Sequence, residues 1–277
     1  MQTFDDFRQL MTIKRYAPNT IDSYRGLLIA FQKFLGHDHP IDELQDRQIK
    51  EAVSEVVVAK SLAVATQKQL LSALKLYFKE MHRRDLDFYS VYPRVKPRPI
   101  PVILSTQEVG AILSHTKNLK HKAMLTLIYA LGLRSGELIN LKISDIDKHR
   151  KLVHIKSSKN KKDRIIPFPD GLGELLNKYY KEYQPTEFLF NGQSTNQYHA
   201  QSLRKVFHKS CKLAGINKKV TLHSLRHAYA THLMDAGTDL RVIKELLGHN
   251  SIKTTLIYTH VTNKTLQHLP NPLDFIK

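Results

Sequence analysis

The stretch RHAYATHLMDAGTDLRVIKELLGHNSIKTTLIYTH, Arg226–His260, sets basic and hydroxyl side chains among apolar residues at helical spacing. Extended back to TLHSLRHAYATH, it predicts a helix, because a rotation of about 100° per residue forms one apolar stripe from Leu222, Leu225, Tyr229 and Leu233. His223 and Arg226 are three residues apart and project together beside that stripe. Two side chains that can bind a phosphate group are therefore expected on one helix face.

Each of these residues also has an ordinary structural interpretation. His223 and His227 have the four-residue spacing of a zinc-binding pair, but Ser224 stands where that motif requires a glutamate. We therefore expect no metal site here. Taken alone, Tyr258 at the end of TTLIY is a packing residue, and Arg134 after YALG is a cation at a helix end. A functional interpretation requires these residues to act as a set.

A proline-rich segment, YPRVKPRPIPVILST, divides the chain into two regions. Its prolines remove the backbone donors that a helix or a central strand needs, which predicts an extended, basic linker. The region before it, including NTIDSYRGLLIAFQKFLG and LAVATQKQLLSALKLYFKEMH, has apolar residues at helical spacing. We predict a helical domain over residues 1–95, a linker over 96–104 and a larger domain over 105–277.

The region after the linker mixes helices with strands. Ser105 and Glu108 form the S-x-x-E pattern of a capping box, which predicts that a helix begins there and continues through QEVGAILSHT. The segments KLVHIKSS and DRIIPF alternate as strands do, and SKNKKD supplies the turn between them. The sequence therefore predicts a mainly α protein with a small β-sheet, of the α+β class.

Composition limits the class of partner. The 277 residues include 43 Lys and Arg against 25 Asp and Glu, a formal net charge of +18 that favours nucleic acid. No apolar run approaches the roughly 18 residues of a membrane-spanning helix, and the N-terminus has no secretion signal, so we expect a cytoplasmic protein. The single cysteine, Cys211, cannot form an internal disulfide and is expected in the core.

Basic residues are concentrated between positions 148 and 164, where eight of them accompany one acid, Asp163. A charge run of this kind is usually a solvated turn. Because it coincides with an excess of the same sign over the whole chain, we favour a hairpin that faces nucleic acid. The predicted DNA contacts are Lys156, Lys161, Lys162 and Arg164.

Four segments together resemble the tyrosine recombinase (phage integrase) family, with the greatest similarity to Xer and integron-type enzymes: ALGLRSGELINLKISDID, HSLRH, LGH and SIKTTLIYTH. The resemblance covers nearly all of the chain. The family pattern of Arg, Lys, His-x-x-Arg, His and Tyr falls in order on Arg134, Lys159, His223, Arg226, His249 and Tyr258. The last two positions are nine residues apart, as the family pattern requires.

The resemblance implies a role for each position in a site-specific DNA recombinase. Arg134 and Arg226 would hold the scissile phosphate, and His249 would donate to a non-bridging oxygen. His223 would accept the proton of Tyr258, which would attack phosphorus and form a 3′-phosphotyrosyl link. The implied reaction uses no metal, ATP or other cofactor.

Two further positions support this set. Lys159 aligns with the family lysine that protonates the leaving oxygen, although Lys156, Lys161 and Lys162 are near enough in sequence to leave the choice open. Glu137, in RSGEL, matches an acidic position that is expected to orient Arg134.

The resemblance also implies an assembly and leaves alternatives. The N-terminal region would be a core-DNA-binding domain, and two double-stranded DNA sites would recombine within a homotetramer. The apolar tail LPNPLDFIK would be available to dock on a neighbouring protomer, or would be a frayed end. A type IB topoisomerase-like nicking and closing enzyme, or a non-catalytic DNA-binding relative, are the alternative functions.

Overall fold

A computed structural model describes residues 2–36, 38–94, 101–156, 163–193, 196–249 and 251–256. The chain divides into two compact units, Met1–Pro97 and Arg98–Lys277, which we call the N-terminal unit and the C-terminal unit. Residues 96–100 of the predicted linker lie outside the described residues. Each unit has a hydrophobic core of its own.

In its described residues the N-terminal unit contains four α-helices: α1 (Gln2–Ile13), α2 (Pro18–Leu35), α3 (Asp46–Ala59) and α4 (Val64–His82). Aromatic side chains from three of these helices fill its core, with Tyr77 of α4 in edge-to-face contact with Phe4, Phe7 and Phe78. The helical periodicity in the sequence therefore reflects a face that packs inward.

The C-terminal unit contains seven α-helices in its described residues: α5 (Thr106–His115), α6 (Leu119–Leu131), α7 (Ser135–Ile139), α8 (Gly171–Tyr183), α9 (Ala200–Leu213), α10 (His223–Asp235) and α11 (Leu240–Leu247). The capping box is confirmed, because Ser105 N donates to Glu108 Oε2 at 2.8 Å and Glu108 N donates to Ser105 Oγ at 3.1 Å. Cys211 lies buried on α9, as expected, and burial raises the pKa of its thiol to about 11.

A small antiparallel sheet lies within this unit, in the order β1 (Ile146–Asp147), β2 (Leu152–Ile155) and β3 (Arg164–Pro167). Strands β2 and β3 are those predicted, and their register pairs Ile155 with Arg164. Strand β1 was not predicted, since two residues are too few to show alternation. The prediction of a mainly α fold with a small sheet is confirmed.

The described residues contain no candidate membrane span and no candidate metal cluster. Among them, no helix combines the length and the apolar character that crossing a membrane requires. Within the same ranges, no three His, Cys, Asp or Glu side chains are grouped so that they could hold a metal ion.

Candidate active site

Arg226, in the first turns of α10, is fully buried with 0% exposure. Its Nη1 donates to the carbonyl oxygen of Gly132 at 2.6 Å, and its Nη2 donates to the carbonyl oxygen of Leu247 at 2.5 Å. These carbonyls lie at the C-terminal ends of α6 and α11, where helix carbonyls have no partner within the helix and carry partial negative charge. Two helix ends therefore hold the Arg226 guanidinium.

Glu137, on α7, is the carboxylate at the centre of this region, and its side chain is only 9% exposed. Arg134 Nη1 donates to its Oε1 at 2.6 Å, and the backbone N of Arg134 donates to its Oε2 at 2.8 Å. Arg164 binds both carboxylate oxygens, at 2.9 and 2.8 Å. Arg226 Nη1 lies 3.6 Å from Oε2. Three guanidinium groups therefore surround one carboxylate, and we call these four residues the Glu137 cluster.

The electrostatics of the Glu137 cluster favour an ionised carboxylate. Burial alone would raise the pKa of Glu137. The hydrogen bonds and charge of Arg164, the backbone donor of Arg134 and the charge of Arg226 outweigh burial and lower the pKa to about 2. The carboxylate therefore stays charged at neutral pH and balances part of the buried positive charge.

The last residues of α11 form a second anchor for the same three arginines. The consecutive carbonyl oxygens of Leu246, Leu247 and Gly248 accept from Arg164 Nε at 2.6 Å, Arg226 Nη2 at 2.5 Å and Arg134 Nη2 at 3.3 Å, respectively. Gly248 has a φ of 60°, and a Cβ added there would lie 3.1 Å from Arg164 Cδ. The LLGH segment thus ends a helix, supplies three acceptors and leaves room for an arginine side chain.

Two histidine rings lie next to the cluster at the start of α10. The rings of His223 and His227 meet edge to face, with centroids 4.6 Å apart. Protein packed around the His223 ring, followed by His227 and the charges of Arg226 and Arg134, lowers its pKa to about 4. Burial also lowers the pKa of His227. His223 is therefore neutral at pH 7 and able to accept a proton.

His249 follows directly on the three carbonyls of α11. Its Nδ1 lies 2.9 Å from the hydroxyl oxygen of Thr255, a contact that orients the imidazole ring. A cleft of about 920 Å³ between β2, β3 and α11 has His249, Lys156 and Arg164 among its lining residues. Lys156, at the end of β2, therefore lines the same cleft as Arg164 of the Glu137 cluster.

The structure brings together part of the predicted set. Arg134, Glu137, Arg226 and His223 interact with one another, and the His249 backbone follows the carbonyl of Gly248 that Arg134 contacts. Four predicted positions lie outside the described residues: Lys159, Lys161, Lys162 and Tyr258.

Lys156 has a defined partner at the end of β2. Its Nζ lies 2.6 Å from Oδ1 of the buried Asp145, while the lysine side chain itself is 68% exposed. Asp145 also accepts from the backbone N of Lys142 at 3.0 Å. The ion pair therefore ties the base of the hairpin to the segment before β1.

Arg164, one of the predicted DNA contacts, is buried in this structure and is not exposed on the hairpin. Its side chain is 7% exposed and binds Glu137 and the Leu246 carbonyl. The physical reason is strand alternation: Arg164 and Ile166 point inward from β3, while Ile165 and Pro167 point outward. The alternation of DRIIPF contained this signal, but the surrounding positive charge obscured it.

A basic face on α9 was missed by the sequence analysis. Helix α9 has no acidic residue, and four basic side chains lie on its exposed positions: Arg204, Lys205, Lys209 and Lys212. The helix packs against α7, which carries Glu137. The signal was available, since the segment AQSLRKVFHKSCKL combines helical periodicity with positive charge alone.

A helical unit followed by a unit that gathers arginines, histidines and one carboxylate around a candidate phosphate site is the organisation of a DNA strand-transfer enzyme. Residues 103–265 match the phage integrase family, and residues 3–87 match the N-terminal SAM-like domain of phage integrases. The chain therefore belongs to the phage integrase family, whose members include tyrosine site-specific recombinases that act on DNA.

Individual relatives agree with this assignment. The chain is 32% identical over 287 residues to the tyrosine recombinase XerD of Oceanobacillus iheyensis, covering 96% of this chain and 95% of that protein. The crystal structure of XerA recombinase has 29% identity and a TM-score of 0.58, covering 98% and 100% of the two chains. A lambda integrase tetramer bound to a Holliday junction shares the fold, with 19% identity, a TM-score of 0.73, and coverage of 93% and 76%.

Proposed function

We propose that this recombinase cleaves DNA through Tyr258, with Arg134 and Arg226 stabilising the negative charge that develops on the scissile phosphate. The observation that carries the proposal is the convergence of these two arginines on Glu137, beside a neutral His223. Two guanidinium groups held beside each other on one carboxylate are suited to stabilise negative charge that develops on a phosphate bound next to them.

The proposed chemical step transfers one proton from the nucleophile and one proton to the leaving oxygen. His223 accepts the proton of the Tyr258 phenol, and the phenolic oxygen forms a bond to phosphorus. The bond from phosphorus to the 5′ oxygen breaks, and Lys159 donates a proton to that oxygen. His249 donates a hydrogen bond to a non-bridging oxygen. The products are a 3′-phosphotyrosyl link and a free 5′-hydroxyl. The new ester conserves the bond energy for religation.

The two arginines differ in access to a substrate. The Arg134 side chain is 26% exposed, whereas Arg226 has no exposed surface. Arg134 therefore presents the first contact for a phosphate. Contact with Arg226 requires the groups that cover its guanidinium to separate when DNA binds.

The described ion pair supports Lys159 over Lys156 as the general acid. Lys156 is engaged with the buried carboxylate of Asp145 at 2.6 Å, so its ammonium group already has an anchoring role at the end of β2. We propose that Lys156, Lys161 and Lys162 contact the DNA backbone from the hairpin, together with the basic face of α9.

We further propose that the active assembly is a homotetramer that brings two double-stranded DNA sites together. The family membership and the fold shared with the lambda integrase tetramer support this assembly. Strand exchange between two differently labelled duplexes is the expected product. A protein that only relaxes supercoils as a monomer would instead be a type IB topoisomerase-like enzyme.

The Tyr258→Phe variant tests the nucleophile. Phenylalanine keeps the ring and removes the attacking oxygen, so we expect normal DNA binding and no covalent adduct on a nicked suicide substrate. The parent protein should give a denaturant-resistant adduct whose phosphate maps to Tyr258 by mass spectrometry. An adduct formed by the Phe variant would assign the attack to another residue.

Lys159→Ala tests the general acid. The variant should slow cleavage by roughly 100-fold, the usual contribution of a positioned proton donor. A substrate with sulfur in place of the 5′-bridging oxygen should restore the rate, because a thiolate leaves without protonation. Rescue of Lys156→Ala, with Lys159→Ala left slow on the sulfur substrate, would assign the role to Lys156.

A further inference from the structure

Arg164 is a buried arginine in the Glu137 cluster to which the proposed reaction gives no role. Its side chain is 7% exposed, and all three of its guanidinium nitrogens donate hydrogen bonds within the protein. Nη1 and Nη2 bind the two oxygens of Glu137, and Nε binds the carbonyl oxygen of Leu246. Each of the three guanidinium nitrogens of Arg164 therefore already has a partner inside the protein.

The contacts of Arg164 join three parts of the site. The residue begins β3, at the end of the hairpin that carries Lys159. Its Nη1 and Nη2 donate to the two oxygens of Glu137, which also accepts from Arg134. Oε2 of Glu137 lies 3.6 Å from Arg226 Nη1. Its Nε bond holds the end of α11, from which the chain continues through Gly248 to His249.

The energetics of this arrangement argue for a positioning role. Burying a third arginine beside one carboxylate carries a desolvation cost that an apolar side chain would avoid. The planar fork of arginine can bind two carboxylate oxygens and leave Nε for a third acceptor, a geometry that a lysine ammonium group cannot reproduce. The benefit of arginine at this position is therefore geometric.

We infer that Arg164 is a positioning residue that fixes Glu137 and the end of α11, so that Arg134, Arg226 and His249 meet the scissile phosphate in one arrangement. The inference rests on the proposed function, since the phosphate is the group that these residues bind. Arg164 acts through Glu137 and Leu246 and does not contact the DNA.

Two variants test this inference in the full-length protein. Arg164→Met removes the charge and the fork. Arg164→Lys keeps a positive charge near Glu137, so that it preserves the charge balance of the interior while losing the fork. Arg241→Met is the matched control, because it removes the same charge from an exposed position on α11.

The first readout separates positioning from DNA contact. Both Arg164 variants should keep the affinity for a DNA half-site and the slope of log affinity against log salt. At saturating protein, Arg164→Lys should form the covalent adduct about 10- to 100-fold more slowly than the parent, a range seen when an indirect support of a site is lost. Arg241→Met should match the parent in both measurements.

The second readout separates positioning from a general loss of structure. A scissile phosphate with one non-bridging oxygen replaced by methyl carries no negative charge, so a misplaced arginine pair matters less for its cleavage. The rate ratio of parent to Arg164→Lys should be about 10-fold smaller on this substrate than on the natural phosphodiester. If Arg164→Met does not fold, the lysine variant alone decides the outcome.

Three results would overturn the inference. A salt slope reduced by about one unit would make Arg164 a phosphate contact. An unchanged rate for Arg164→Lys would make the fork dispensable, and an equal defect on both substrates would indicate a purely structural role. Failure of the parent protein itself to form an adduct would instead count against the proposed function.

Discussion

Each unit of this recombinase contains a partly buried carboxylate with side-chain donors around it, but the donors differ in kind. In the N-terminal unit, Asp42 accepts from the hydroxyl of Tyr77 at 2.5 Å and lies 2.9 Å from His82 Nε2. In the C-terminal unit, Glu137 is bound by guanidinium groups. The Asp42 side chain is 29% exposed, compared with 9% for Glu137.

We propose that the difference separates a group that completes a fold from one that organises the proposed reaction. Tyr77 is a neutral donor that anchors α4 to the turn containing Asp42, and burial raises its pKa far above the usual value, so it stays neutral. The Glu137 cluster sets three cations, two of them buried, against one anion, an arrangement that an apolar core of equal volume would often match in stability. We attribute this charged cluster to the proposed phosphate chemistry.

A large effect is expected on the free energy of unfolding when Glu137 is neutralised. Glu137→Gln should lower the free energy of unfolding at pH 7 by about 3 kcal/mol, because the buried arginines lose the charge that offsets them. The pKa of Glu137 is about 2 in the folded protein, below its ordinary value of 4.5. The stability that the ionised carboxylate contributes is therefore complete above about pH 4.5 and is lost as the pH falls towards 2.

Denaturant unfolding of parent and variant between pH 7 and pH 2 checks this prediction. The difference between the two proteins should remain constant down to about pH 4.5 and then shrink. Glu174→Gln, which breaks an exposed pair with Lys178, is the control and should show little change. A difference that is independent of pH would show that the charge of Glu137 is not the cause.

Substitution by alanine should destabilise the protein at one glycine and stabilise it at another. Gly132 has a φ of 58°, and an added Cβ would lie 2.5 Å from the Tyr229 ring, so Gly132→Ala should cost about 2–4 kcal/mol from strain and overpacking. Gly26, inside α2, is exposed with open space around its Cβ position. Gly26→Ala should stabilise the N-terminal unit by about 0.5–1 kcal/mol.

Thermal unfolding of both glycine variants tests the contrast. Gly132→Ala should also slow cleavage, since Arg226 binds the Gly132 carbonyl. A tolerated alanine at position 132 would show that the end of α6 can shift without disturbing the Glu137 cluster.

A smaller destabilisation is expected from the loss of the Tyr77 hydroxyl. Tyr77→Phe keeps the ring in the aromatic core and removes one hydrogen bond to a charged group, so it should cost about 1–2 kcal/mol. Adduct formation at saturating protein should be unchanged. A cleavage defect larger than the stability loss explains would mean that the Asp42 region also serves the reaction.

Much of the fold could be predicted from periodicity, because helices α2, α4 and α10 each present apolar residues at helical steps. Strands β2 and β3 could be predicted from alternation. The two-residue β1 could not, because two residues are too few to show alternation.

The candidate site was predictable in composition but only partly in geometry. Motif spacing could select Arg134, Glu137 and Arg226, since their residue types and order are local information. The binding of Arg164 to Glu137 joins positions 27 residues apart, and its bond to Leu246 joins positions 82 apart. Local charge favoured a surface position for Arg164, and packing of β3 against α11 reversed that expectation.

The most direct test of the central claim compares Glu137→Gln with Asp42→Asn in one cleavage assay. The rate of covalent adduct formation is measured at saturating protein on a suicide substrate, with the folded fraction of each variant determined in parallel. We predict that Asp42→Asn cleaves at the parent rate despite its lower stability, whereas Glu137→Gln is slower by about 100-fold or more. Equal rates for the two variants would contradict the claim that the Glu137 cluster serves the reaction and the Asp42 group serves the fold.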